Sequence, residues 1–253
     1  MGKLALYDIL DGEYCFLLDR VTRIFKEKGL NPAIVGGAAV QVHAANLLSQ
    51  TYNRSIEDLF AEGELRQQDH IRSTDDIDIA VLDKELLMKN QTEYKNKIMS
   101  AIQEIPVKDI ESSDKNDLYD ISIERMGLRR PIIHVRSFNK GSRISFNISN
   151  SPTDLYHLGQ TQYVSMIENA QDIVLNYGSD FSPVIRVYQL ADVIATKLSA
   201  CRAKDIFDII NLRECAKRAG KEIDRKRLVE ILGDTPEGME KIDDFFAGRM
   251  KIG

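Results

Sequence analysis

The apolar positions along the chain fall into strand-like and helix-like runs. Residues 71–82 read Ile-Arg-Ser-Thr-Asp-Asp-Ile-Asp-Ile-Ala-Val-Leu. Ile77, Ile79, Val81 and Leu82 behind a polar start predict a largely buried β-strand. A shorter run, Ala33 to Val35, predicts a strand that meets Gly36-Gly37 and leads into a helix from Ala38 to about Leu48. Upstream, Leu17, Val21, Ile24 and Phe25 recur at helical spacing and predict a helix over 14–28. Lys26 and Lys28 suit its C-terminal dipole, and Gly29 its stop. Residues 84–105 predict one helix with Leu86, Leu87, Ile98 and Ile102 inward. Segments 118–125, 132–137 and 143–149 predict three strands. Gly127 and Asn139-Lys140-Gly141 supply their turns, so the three read as an antiparallel meander.

From Val187 onward the pattern is helical, with helices expected over 187–201, 205–219, 222–232 and 236–250. Three stretches interrupt the periodic ones. Residues 50–70 are polar, with a short helix around Ile56 to Leu65, and read as an insertion over a site. Residues 106–117 read as a charged loop. Residues 150–184 contain Pro152, Pro183 and several Gly, Asn and Ser, and the change of character places a domain boundary there.

Composition narrows the class. The chain has 253 residues, 43% hydrophobic and 29% charged, which fits an ordinary globular protein. No apolar run approaches the ~20 residues that span a bilayer. The first residues lack a secretory apolar region, and Leu6 stands where myristoylation of Gly2 requires Ser or Thr. Cys15, Cys201 and Cys215 form no C-x-x-C pair, which points to reduced cytoplasmic thiols rather than a zinc site. With a net charge of −5 the surface as a whole does not attract nucleic acid, so any such contact needs a local basic patch.

Two stretches carry candidate chemistry. Side chains alternate along a strand, so Asp76 and Asp78 point the same way. Neighbouring carboxylates repel unless something positive lies between them, and hard divalent ions are held by such pairs together with substrate phosphates. The competing reading of Asp75, Asp76 and Asp78 is a solvated strand end. Gly36-Gly37 at a strand-to-helix turn lets the backbone approach a ligand, and the helix N-terminus offers N–H groups to an anion; the competing reading is a plain tight turn. Together, a phosphate cradle and a carboxylate pair within one α/β unit suggest Mg²⁺–nucleotide chemistry. His43, alone on its helix, reads as packing or surface rather than function. The meander carries Arg125, Arg129, Arg130, Arg136, Lys140 and Arg143, which read either as an anion-binding face or as a sheet edge blunted by charge.

Gly-Gly-x-Ala (36–39), Arg-x-Thr-x-Asp-Ile-Asp (72–78) and Lys-x-x-Ala-x-Arg-x-Lys-Asp-x-x-Asp (197–208) together resemble the nucleotidyltransferases of the AbiEii abortive-infection toxin class, within the polymerase-β-like nucleotidyltransferase superfamily. The resemblance implies an α/β (α+β) fold: a mixed-sheet nucleotidyltransferase domain over 1–160 and a mostly helical domain over 161–253 that completes a cleft. It implies that Gly36 and Gly37 hold the nucleotide phosphates, that Asp76 and Asp78 bind Mg²⁺, and that Arg72 and Thr74 shape the loop around them. Lys197 would reach the triphosphate, with Asp208 near it. The implied activity is Mg²⁺-dependent transfer of a nucleotide from an NTP to an RNA (tRNA) or protein acceptor. The implied partner is a separate antitoxin protein, and no membrane is involved.

One position departs from the superfamily pattern. A third carboxylate is expected on a later strand, and the matching residue in Ile144-Ser-Phe-Asn-Ile-Ser149 is Asn147. An amide takes no proton and binds metal weakly. That keeps open a non-catalytic nucleotide-binding module. A glycosyltransferase, which also uses D-x-D, leaves Lys197 and Asp208 unexplained.

Overall fold

The computed structural model describes residues 12–62, 76–104, 119–126, 130–137, 143–149, 158–178 and 182–251. The chain forms two compact units, one from residues 1–38 and 73–150, the other from residues 39–72 and 151–253.

In the first unit, helix α1 (Gly12–Glu27) leads to strand β1 (Asn31–Val35) and on to helix α2 (Gly36–Tyr52), whose body belongs to the second unit. Val21 and Phe25 of the predicted α1 stripe are buried, Leu18 joins them, and Ile24 is half-buried. Gly29, at φ +67°, ends the helix as expected; the Leu30 N–H returns to the Phe25 carbonyl in the left-handed cap that glycine favours. Strand β2 (Asp76–Leu82) runs antiparallel to β1, with Ile34 opposite Ile79 and Val35 opposite Asp78. Strands β3 (Tyr119–Met126), β4 (Arg130–Ser137) and β5 (Arg143–Ser149) form the antiparallel meander. β5 then pairs parallel with β2, so the strands of this unit run in the mixed order β3-β4-β5-β2-β1. Ile77, Ile79, Val81, Phe146 and Ile148 are buried in it.

The helix expected over 84–105 is two helices, α4 (Lys84–Lys89) and α5 (Gln91–Gln103). Asn90 separates them. Its N–H bonds the Leu86 carbonyl to close α4, and its side chain accepts from the Glu93 N–H to open α5. An Asn side chain competes with the helical backbone in this way, and the apolar spacing does not register it. Tyr94 of α5 donates its hydroxyl to the Val81 carbonyl and ties the helix to β2.

In the second unit, α2 is followed by helix α3 (Ile56–Ala61); residues 63–70 of the insertion lie outside the described residues. The stretch read as irregular contains helix α6 (Gln160–Glu168) and an antiparallel hairpin of β6 (Gln171–Val174) and β7 (Val184–Val187). Four helices follow: α7 (Leu190–Ala200), α8 (Ala203–Arg218), α9 (Arg225–Leu232) and α10 (Pro236–Ala247). Each lies within the predicted span apart from the first residues of α8. α7 is the central one, packed on α8, α9 and α10, with Val193, Ile194, Ala195 and Leu198 buried. His43 is buried in α2, and its Nε2 lies 2.8 Å from the Tyr188 carbonyl oxygen, a packing role as expected. Among the described residues no helix is long and apolar enough to cross a membrane.

Candidate functional site

The parallel pairing of β2 with β5 sets Asp76 opposite Ser145 and Asp78 opposite Asn147. Cross-strand partners share a sheet face, so the carboxylate pair and Asn147 lie together. Both aspartates and Asn147 are half-buried. The amide nitrogen of Asn147 donates to Asp76 Oδ2 at 2.5 Å and to Asp78 Oδ1 at 3.1 Å. One oxygen of each carboxylate therefore points at the same place.

Gly36 completes this group. It turns the chain from β1 into α2 at φ +67°. A Cβ built on it would stand 2.4 Å from Asp78 Oδ2. Both the backbone angle and the contact require glycine here. The first turn of α2, beginning Gly36-Gly37, thus starts against the Asp78 carboxylate, and its first N–H groups have no partners within the helix. Hard oxygen donors that converge on one point suit a divalent ion such as magnesium, which keeps waters and substrate phosphates in its remaining positions. Among the described residues no group of three or more His, Cys, Asp or Glu side chains is placed to hold a metal ion. Arg72 and Thr74 lie outside the described residues.

A second polar group lies in the second unit. Lys197, near the end of α7, is 2% exposed, and its ammonium bonds Asp205 Oδ1 at 3.0 Å and Asp208 Oδ2 at 2.7 Å. The i, i+3 spacing puts both acids on one side of α8. Asp205 is fully buried and also accepts from the Arg202 N–H at 3.2 Å and Arg202 Nε at 2.5 Å. Burial pushes the Asp205 carboxyl up, but the hydrogen bonds and charges of Arg202 and Lys197 outweigh it and hold the group below the ordinary carboxylate range. Cys201 links the two helices in the left-handed conformation, at φ 49°. The sequence reading picked out Lys197 and Asp208 but gave Asp205 no site role; its signal was the Lys-Asp-x-x-Asp spacing from Lys204 to Asp208.

Of the six meander cations, Arg129 and Lys140 lie outside the described residues. Arg136 pairs with Arg143 across β4 and β5. Counting along the register, positions 130, 136 and 143 fall on the sheet face of Asp76, Asp78 and Asn147, whereas Arg125, opposite Pro131, falls on the other.

A mixed sheet that carries paired acids beside a glycine-initiated helix is the arrangement expected of a nucleotidyltransferase-type α/β protein. Residues 65–237 match the model of the family described as "Nucleotidyl transferase AbiEii toxin, Type IV TA system", and the chain belongs to that family. Its members are nucleotidyltransferase toxins of type IV toxin–antitoxin systems. No curated protein matches the chain. The crystal structure of JHP933 from Helicobacter pylori aligns with 92% of this chain and 87% of its own, at 14% identity and a TM-score of 0.32.

Proposed function

We propose that the protein transfers a nucleotide from an NTP to an acceptor hydroxyl with magnesium bound at Asp76 and Asp78, and that the acceptor is RNA, of the tRNA class. The observation that supports this best is the convergence of the two carboxylates beside Gly36. In the reaction the acceptor oxygen attacks the α-phosphorus, the bond from that phosphorus to the β-bridging oxygen breaks, and pyrophosphate leaves. Bound magnesium would neutralise charge on the attacking and leaving oxygens. The chain's own part is positioning: Asp76 and Asp78 fix the ion, and the N–H groups of Gly36 and Gly37 take phosphate oxygens. Lys197 as a triphosphate contact, Asp208 as the acid that orients or deprotonates the acceptor, and Arg72 and Thr74 as loop residues belong to the same proposal. So does a separate antitoxin protein as partner.

RNA is favoured over a protein acceptor by the register of the meander, which sets three arginine positions on the face of the acid pair. The experiment is incubation with each α-labelled NTP and total RNA. Label should appear on RNA, and Asp76→Asn and Asp78→Asn should abolish it while circular dichroism stays unchanged. Label on protein instead would move the acceptor. Bound label without transfer would favour a nucleotide-binding module, the reading that Asn147 motivates.

A further inference from the structure

We propose that Asn147 is a positioning residue that competes with the metal ion: its amide ties Asp76 to Asp78 in the ion-free protein and must release both oxygens for a divalent cation to bind. This rests on the reading of Asp76 and Asp78 as the ion's ligands.

The amide nitrogen takes Asp76 Oδ2 at 2.5 Å and Asp78 Oδ1 at 3.1 Å, the two oxygens that converge. An amide NH₂ has two protons, one for each bond, so this edge of the side chain is fully used. The arrangement is built into the sheet. Asn147 sits opposite Asp78 in the β2–β5 register, and Asp76 is two residues earlier on the same face. Two carboxylates this close repel each other. The positive edge of the amide relieves that repulsion, and hydrogen bonds to charged acceptors are the stronger kind.

The same edge is wrong for an ion. An N–H proton facing a cation is repelled, so the amide has to withdraw as the ion arrives. A carboxylate at position 147 would do the reverse: it would add charge and a ligand for the ion, and add repulsion to the ion-free pair. Asn147 therefore trades ion affinity for a settled ion-free site. The ion is held weakly until the phosphates of a nucleotide add their oxygens.

The test uses Mn²⁺ as the probe, with free Mn²⁺ read by electron paramagnetic resonance on the full chain, and thermal unfolding in EDTA alongside. Asn147→Ala removes the competitor. It should bind Mn²⁺ about tenfold more tightly than the parent, and melt earlier in EDTA but not in Mn²⁺. Asn147→Ser, with one hydroxyl proton, should give a smaller gain. Asn147→Asp should bind tightest and melt earliest in EDTA. Asn147→Ala binding Mn²⁺ no more tightly than the parent would overturn the proposal. Absence of Mn²⁺ binding in the parent and all variants would overturn it together with the metal reading. Tightening in Asn147→Ala without transfer of label to any acceptor would support the inference and remove the proposed activity, so the two fail separately.

Discussion

The ammonium of Lys197 lies 2.7 Å from the carboxylate of Asp208, and both side chains are 2% exposed. With Asp205 on its other side, the lysine is a buried cation between two acids. Removing one member of a buried pair strands the other, which costs about 3–5 kcal/mol. Lys197→Ala should therefore lower stability by about that much in urea unfolding, with an unchanged dependence on denaturant. If Lys197 also contacts the triphosphate, NTP affinity measured well below the melting temperature should fall by a further ~1–3 kcal/mol. A variant that is destabilised but binds NTP like the parent in calorimetry would leave Lys197 with the structural role alone.

Gly36→Ala places a methyl group against the Asp78 carboxylate. Left-handed backbone costs a non-glycine residue about 1–2 kcal/mol. The larger effect is local: a Cβ 2.4 Å from Asp78 Oδ2 forces that carboxylate to move. The expected outcome is a modest loss of stability with a disproportionate loss of Mn²⁺ binding and transfer. Gly220, also at positive φ but with nothing near its Cβ position, is the control: Gly220→Ala should lose stability alone.

His43 gives the fold a pH dependence. Burial lowers its imidazole from 6.5 to about 4, against a smaller opposing effect of the hydrogen bond to the Tyr188 carbonyl. In the unfolded chain the ring takes a proton near pH 6.5, and in the folded protein only near pH 4. Between these values the unfolded state binds more protons, so stability falls as the pH falls through that window. The full difference corresponds to about 3 kcal/mol. Unfolding free energies measured from pH 7 to pH 4 should show this slope, and His43→Gln should flatten it. An equal slope in the variant would assign the effect to other groups.

How legible this site was depends on the distance over which each signal acts. Strand β2 and the glycine turn were readable because Ile77, Ile79, Val81 and Gly36-Gly37 act over a few residues. The three strands of the meander were readable for the same reason; the turns read at Gly127 and Asn139-Lys140-Gly141 lie outside the described residues. The parallel pairing of β2 with β5 was not a local signal, since more than sixty residues separate them; only the superfamily pattern pointed to Asn147. The hairpin of β6 and β7 was missed because its strands are four residues long and expose Val174 and Val184 as a cross-strand pair. Alternation that leaves apolar residues in water does not read as a strand. The Asn90 break was missed because Leu86, Leu87, Ile98 and Ile102 keep helical spacing across it. Lys197 illustrates the reverse. A lysine within a mostly apolar helix must be paired if that helix is central, and Asp205 and Asp208 stand eight and eleven residues on.

The acceptor can be tested through the sheet register. Positions 130, 136 and 143 share the face of the acid pair, and Arg136 and Arg143 stand directly across from each other. Arg125 stands on the opposite face. With a net charge of −5 the protein has no bulk attraction for RNA, so binding should depend on a few local phosphate contacts. The logarithm of affinity should then fall with the logarithm of salt concentration at a slope set by those contacts. Arg136→Ala and Arg143→Ala should each weaken binding and reduce the slope by roughly 1. Arg125→Ala, an equal change of charge, should leave the slope as it is. Equal effects of all three would mean that net charge rather than this face governs binding. An affinity that does not respond to salt, or no RNA binding at any ionic strength, would turn the search to a protein acceptor.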